Sequence, residues 1–203
     1  MGAPLQVLAV SGSLRKASRN TLLLQAAQEL KPDHMHIEIY SIGDLPLYNQ
    51  DLVTSSYPAS VETWRDKVRA ADALLFASPE YNHSLTGALK NAIDWASRAD
   101  LDAPPGSPHV LNHKPGAVIG AGGRSGTIRS QNHFHQIATA LNMHILPKPQ
   151  VFVALQPKSP FNDAGELIDP VARDLIRQLL ADLVTWTQQL AIYQPAPSAA
   201  TAR

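Results

Sequence analysis

Leu5-Gln6-Val7-Leu8-Ala9-Val10-Ser11-Gly12-Ser13-Leu14-Arg15-Lys16-Ala17-Ser18-Arg19-Asn20-Thr21-Leu22-Leu23-Leu24-Gln25-Ala26-Ala27-Gln28-Glu29-Leu30 is the stretch on which the reading of this chain turns. Leu5, Val7, Leu8, Ala9 and Val10 make a short apolar run rich in β-formers, which suits a strand buried on both faces. Leu22, Leu23, Ala26, Ala27 and Leu30 then recur at helical spacing and give the next element one apolar face. The residues between them are crowded with hydroxyls and cations, with one glycine and one amide. A strand, a polar loop and a helix N-terminus together suit a phosphate, because the first helical N–H groups lack intrahelical acceptors and the dipole favours negative charge there. Ser13, Ser18, Asn20 and Thr21 add side-chain donors, and Arg15 adds a charge-assisted one. A simpler reading has Ser18 or Asn20 capping the helix and Arg15 in solvent. The number of donors straight after the first strand favours phosphate. The loop is neither a Walker loop nor a G-x-G-x-x-G turn. A chain without cysteine also excludes a Cys-centred phosphatase loop.

Composition bounds the rest. A chain of 203 residues, 44% of them hydrophobic, is expected to form one α/β domain over residues 1–193, with a disordered Pro- and Ala-rich tail over 194–203. Lysine plus arginine number 17 and aspartate plus glutamate also 17, so no general affinity for nucleic acid or an anionic membrane is expected. No apolar run reaches the length of a membrane span and no charged-then-apolar leader opens the chain, so a cytoplasmic location is expected. Without cysteine there is no disulfide, thiolate nucleophile or Cys-based metal site.

Further strands are expected over 36–40, 73–77 and 117–121, and a fifth within 145–153, starting after Pro149. Helices are expected over 60–71, 87–97, 127–141 and 170–192, with Thr86 as an N-cap and Pro170 in a first helical position. Strands alternating with helices argue for one parallel sheet covered on both faces, a three-layer α/β sandwich. Polar loops follow strands one, three and four: Ser11–Thr21, Ser78–Ser84 and Gly122–Gly126. In such sheets the ligand lies beyond the C-terminal strand ends, so these loops should converge on one edge. With order 2-1-3-4-5, strands one and three flank the switch point, where a flavodoxin-like sheet holds FMN.

The loops carry a likeness. Gly12-Ser13-Leu14-Arg15-x-x-Ser18-x-Asn20 resembles the phosphate loop of the NADPH-dependent FMN reductase family. Pro79-Glu80-Tyr81-Asn82-x-Ser84-x-x-Gly87-x-Leu89-Lys90-Asn91-Ala92-Ile93-Asp94-Trp95 is similar to that family's second signature, and Asn142-Met143-x-x-Leu146-Pro147-Lys148-Pro149 to the run before its last strand. The resemblance is nearest to the chromate/quinone reductase branch. It implies a flavodoxin-like fold with a five-stranded parallel sheet of order 2-1-3-4-5, FMN as cofactor and NADPH or NADH as electron donor. It also implies that Ser13, Arg15, Ser18, Asn20 and Thr21, within a loop that includes Leu14 and Arg19, hold the FMN phosphate. Pro79, Glu80, Tyr81 and Asn82 would line the flavin ring, largely through backbone groups, with Tyr81 against it. Ala121, Gly122 and Gly123 would form a third wall. Where close members often have proline, this chain has Thr86, a change expected only to swap a rigid first turn for a hydroxyl cap.

The residue chemistry agrees with that implication. Arg15, Lys16 and Arg19 offset a phosphate's charge, and no acid–base pair or nucleophile elbow is expected because the flavin carries the hydride chemistry. The expected activity is ping-pong reduction of quinones, and of chromate or other small acceptors, with no catalytic side chain and no metal. Arg124 and His83 are candidate substrate contacts. Gly120-Ala121-Gly122-Gly123-Arg124-Ser125 has serine at the third glycine position, and so is not a bound-NAD fingerprint. His133 and His135, two apart on a helix, point to different faces and suit a surface or an interface better than a metal. A homodimer or homotetramer is expected, from the resemblance and from an apolar surplus on Leu89, Ile93, Trp95, Phe134 and Ile137. Two other classes stay open: a flavodoxin-type electron carrier and a flavin-responsive interaction protein. Against the first, the chain lacks both the acidity of long-chain flavodoxins and the hydroxyl-rich phosphate loop of short ones.

Overall fold

Alternation along the strands sorts the core into two layers. In β1 (Leu5–Ser11) Val7 and Ala9 face one side of the sheet and Leu8 and Val10 the other. β3 (Ala73–Ala77) repeats this with Ala73, Leu75 and Ala77 against Leu74 and Phe76. β4 (Pro115–Gly122) does so with Ala117, Ile119 and Ala121 against Val118. All these side chains are buried, so each strand is apolar throughout and needs a helical layer on both faces. The computed structural model of the chain describes residues 3–192. The tail expected to be disordered, residues 194–203, lies outside the described residues.

α1 (Arg19–Leu30) and α5 (Pro170–Ile192) cover the first layer. α2 (Ala59–Ala70), α3 (Gly87–Ala96) and α4 (Ile128–Ala140) cover the second. Full burial of one such aliphatic side chain is worth about 1.5–3 kcal/mol, which makes these two layers the main source of stability. Trp64 and Trp95 are fully buried in the second layer, and their indole N–H groups donate to Ala92 O and Pro46 O, each at 2.8 Å. β2 (Met35–Tyr40) pairs parallel with β1, and the sheet order is β2-β1-β3-β4-β5, as expected. No helix among the described residues is long and apolar enough to cross a membrane.

The fifth strand departs from expectation. It is two pieces, β5 (His144–Ile145) and β6 (Val151–Ala154), both pairing with β4, so the sheet counts six strands. Pro147 and Pro149 carry no N–H to donate to the ladder, and the edge breaks between the pieces. β6 starts after Pro149 as expected; β5 lies before it.

β4 ends tightly against the start of α4. A Cβ on Gly120 would lie 2.0 Å from Thr127 Oγ1 and 2.5 Å from the Ser78 carbonyl oxygen. Gly120→Ala is therefore expected to cost about 1–3 kcal/mol of stability by overpacking, measured by urea denaturation. A loss below about 0.5 kcal/mol, the range of an ordinary surface change, would contradict this packing.

Candidate functional site

Loops after β1, β3 and β4 meet beyond the C-terminal ends of these strands. The first is built around the start of α1. Ser18 is its N-cap and accepts from the Thr21 N–H at 3.2 Å. Ser11 Oγ accepts from the Ser13 N–H at 3.2 Å and from Thr21 Oγ1 at 3.0 Å, which curls the loop over the strand end. The N–H groups of Lys16, Ala17, Arg19 and Asn20 donate to no acceptor among the described residues. Arg15 and Lys16 are exposed, and their cationic groups bond to nothing described. Unused N–H groups, a helix N-terminus and two available cations make a fit for a phosphate dianion. The Arg19 guanidinium lies 5.3 Å from the centre of the Phe161 ring, toward the start of α5. Leu14 is exposed at the rim.

Asn20 is placed differently from the other loop residues. Its side chain is 3% exposed, its Nδ2 donates to Ala121 O at 2.9 Å, and its Oδ1 accepts from the Ala121 N–H at 2.9 Å. Both ends of the amide are engaged with β4, so Asn20 positions the first loop against that strand, and the second N–H of its Nδ2 has no acceptor among the described residues. A second tie joins the first loop to the second. Thr86 caps α3 by accepting from the Leu89 N–H at 3.1 Å, and its hydroxyl donates to Gly12 O at 2.6 Å. Its role thus exceeds the expected helix cap. Gly12 suits this close approach, since a Cβ would sit 3.1 Å from Pro79 Cδ and 3.2 Å from Thr86 Oγ1, a tight fit.

The second loop folds as a tight hairpin. The Tyr81 and Ser84 backbones exchange N–H···O bonds of 3.0 and 3.1 Å, and Asn82 and His83 take φ of +51° and +66°. Two left-handed residues in succession are the requirement of a type I′ turn. Tyr81 is 48% exposed, and His83 is exposed at the tip. Below the turn, Ser78 and Ser130 hydroxyls meet at 2.6 Å, and Ser130 Oγ donates to Pro79 O at 3.0 Å. The third loop pivots on Gly123 (φ +24°) and Gly126 (φ +62°) and carries Arg124 exposed, with no bond to its side chain among the described residues. Gly123 O accepts from the Leu155 N–H at 2.8 Å, which fixes the loop to the end of β6.

Glu80 turns away from the hairpin and anchors it to α4. Its carboxylate accepts from the Arg129 N–H at 3.0 Å, the Ser130 N–H at 3.4 Å and Arg129 Nη1 at 2.8 Å. Sequence reasoning missed this anchor, the Asn20 clasp and the Thr86 tie, because each joins residues far apart in the chain; only the cap at Thr86 had a local signal. The apolar surplus expected on α3 and α4 is also corrected. Leu89, Ile93, Trp95 and Phe134 are buried by this chain's own second layer, and Ile137 is half-buried.

Burial pushes the Glu80 carboxyl pKa up, but hydrogen bonds from the Arg129 side chain and from the Arg129 and Ser130 N–H groups outweigh it and hold the carboxyl below the usual range. With the folded value below the unfolded one, the stabilisation is fully present above the unfolded value and lost as pH falls through the folded value. Glu80→Gln is expected to cost about 1–2 kcal/mol near neutral pH, as Arg129 is half exposed. The gap in melting temperature should close as pH falls below about 4. A gap of equal size at both pH values would contradict the anchor.

Comparison with known proteins gives the family. Residues 5–158 match the family described as NADPH-dependent FMN reductase. An NAD(P)H-dependent FMN reductase of Pseudomonas aeruginosa is 46% identical over 191 residues, covering 94% of this chain and 99% of the relative. An NADPH:quinone oxidoreductase of Arabidopsis thaliana is 44% identical over 92% of this chain and 93% of its own length. Among solved structures, the flavoenzyme NAD(P)H:(acceptor) oxidoreductase FerB of Paracoccus denitrificans superposes with a TM-score of 0.79 at 31% identity, covering 91% of this chain and 98% of that one. The chain belongs to the NADPH-dependent FMN reductase family and is a flavodoxin-like, NAD(P)H-dependent flavin oxidoreductase.

Proposed function

We infer that this chain uses NAD(P)H to reduce quinones, with chromate as a further acceptor, and that its FMN sits on the edge formed by the three loops. The observation that carries the reading is the start of α1, where N–H groups without acceptors stand beside the free cations of Arg15 and Lys16. In this reading Ser13, Leu14, Arg15, Ser18, Arg19, Asn20 and Thr21 surround the phosphate, and Asn20 also fixes the distance of the loop from β4. Pro79, Glu80, Tyr81 and Asn82 supply the second wall, shaped by the hairpin and held by the Glu80 anchor. Ala121, Gly122 and Gly123 supply the third. FMN, when bound, supplies the hydride-accepting and hydride-donating chemistry. The chain's part is to bind, orient and shield, which is why the site needs no acid–base pair.

Quinones are supported as acceptors by the names of several relatives, among them a 2-hydroxy-1,4-benzoquinone reductase of a Burkholderia species, 32% identical. Arg124, exposed and free on the third loop, is assigned to attract chromate or the phosphate of NADPH, and His83 to line the mouth. Donor and acceptor take turns at one approach. A homo-oligomer is part of this reading, and the segment around Leu47 is one exposed apolar point on its surface. That side chain is 82% exposed although its loop is pinned to α3, with Asn91 Nδ2 and Trp95 Nε1 both donating to Pro46 O. The cysteine-free, charge-balanced sequence fits a cytoplasmic setting.

Arg15→Ala is expected to weaken FMN binding by about 1.5–3 kcal/mol, the scale of a hydrogen bond to a charged group, while riboflavin binding barely changes. Fluorescence titration of the apoprotein measures both. Equal affinity for FMN and riboflavin in the unaltered protein would place the phosphate elsewhere.

Initial rates with NADPH and benzoquinone should give parallel double-reciprocal lines. Intersecting lines would rule out a shared approach. In the same assay Arg124→Ala should lower kcat/KM for chromate more than for the neutral quinone, and added salt should shrink that difference as the Debye length falls to about 3 Å at 1 M. An equal fall for both acceptors, or none, would remove Arg124 from the reading.

A further inference from the structure

At the opposite end of the sheet, where β4 and β5 begin, two histidines meet. His113 precedes β4 and His144 opens β5, and the register sets Pro115 beside His144. Backbone bonds fix both chains: the His113 N–H donates to Asn142 O at 2.9 Å and the His144 N–H to Lys114 O at 3.0 Å. His113 Nδ1 lies 3.0 Å from His144 Nε2, with ring centres 5.2 Å apart and planes 27° from parallel. His113 is exposed and holds φ of +56°, uncommon for a residue other than glycine, and His144 is half-buried, so solvent reaches the pair.

We propose that His113 and His144 form a chelating site for a first-row divalent transition-metal ion, separate from the flavin site. Imidazole nitrogens bind such ions at about 2.0–2.1 Å, so two of them on one ion stand about 2.9 Å apart at a right angle and about 3.4 Å apart at the tetrahedral angle. The observed 3.0 Å falls within that range, so turning the two rings to aim both lone pairs at one ion needs little change in the separation of the nitrogens. Without metal the same contact serves as an imidazole–imidazole hydrogen bond, so neither nitrogen is orphaned. Among the described residues no three His, Cys, Asp or Glu side chains cluster as metal ligands, so water completes the coordination. With two nitrogens and no carboxylate, the pair does not suit magnesium or calcium, which take oxygen ligands.

The neighbours keep the site open. Lys114 Nζ donates to Arg69 O and Ala71 O at 3.3 and 2.7 Å, at the C-terminal end of α2, and so is held by those carbonyls. Asn142 Nδ2 donates to Asn112 Oδ1 at 2.9 Å and borders the His113 ring at 3.2 Å from its Nε2. The ion would clip the short β5 to β4 just before the proline-broken stretch of the edge.

Isothermal titration of the FMN-loaded protein with nickel chloride tests the site. One ion per chain is expected in the unaltered protein. His113→Asn, chosen because asparagine tolerates the left-handed backbone, and His144→Gln should each weaken binding about tenfold or more, and the double variant should lose it. Flavin content should be the same in all of them, which separates this site from the flavin reading. Should a variant misfold, the unaltered protein still decides. Nickel should broaden the imidazole NMR signals of His113 and His144 before those of the other six histidines of the eight in the sequence. Absence of saturable binding, binding kept by the double variant, or first broadening at another histidine would overturn the proposal.

Discussion

The site depends on one buried amide. Asn20, in the first turn of α1, grips both the N–H and the carbonyl of Ala121 at the end of β4. The two bonds reach past β3 and set how far the first loop stands from the third. Both partners are buried, so without the amide two backbone groups would lose their partners away from water, at about 1–3 kcal/mol for each. The loop can therefore leave other N–H groups without acceptors, because its position does not depend on them. Thr86 and Glu80 do comparable work for the second loop, one tied to the first loop and the other to the start of α4.

This division of labour explains which polar groups are free. Those fixing the frame are satisfied within the chain: Asn20, Thr86, Glu80, Ser78 and Ser130. Those pointing outward, Arg15, Lys16 and Arg124, bond to nothing described. A buried network that is fully paired can be rigid, and a rigid frame can display unpaired donors to an anion without collapsing onto them. Glycines mark the closest approaches: Gly12 lets the first two loops touch, and Gly120 lets β4 end against Thr127.

Much of this was legible in the sequence, for definite physical reasons. Strands that are apolar on both faces announce a sheet covered twice, and polar loops after strands one, three and four must share an edge once the sheet is parallel. Sequence also placed Thr86 as a helix cap, since capping is local, whereas the cap at Ser18 was only the alternative to a phosphate contact there. It could not show what Asn20 holds, because the partner lies 101 residues away and asparagine before a helix reads equally well as cap or ligand. The apolar residues of α3 and α4 were read as surplus because periodicity does not count how many neighbours a layer has. The broken edge strand was half legible: the prolines showed the interruption, but a two-residue strand has too little pattern to read. His113 and His144, 31 residues apart, gave no spacing signal at all.

In the proposed site Asn20 builds the frame and Arg15 meets the phosphate, and one paired measurement separates the two roles. Asn20→Ala and Arg15→Ala would each be measured for the melting temperature of the apoprotein and for FMN affinity. Asn20→Ala should lower both, and Arg15→Ala should lower affinity while leaving the melting temperature unchanged. An Asn20→Ala apoprotein as stable as the unaltered chain, with FMN affinity alone reduced, would make Asn20 a ligand contact only and contradict its role in the frame.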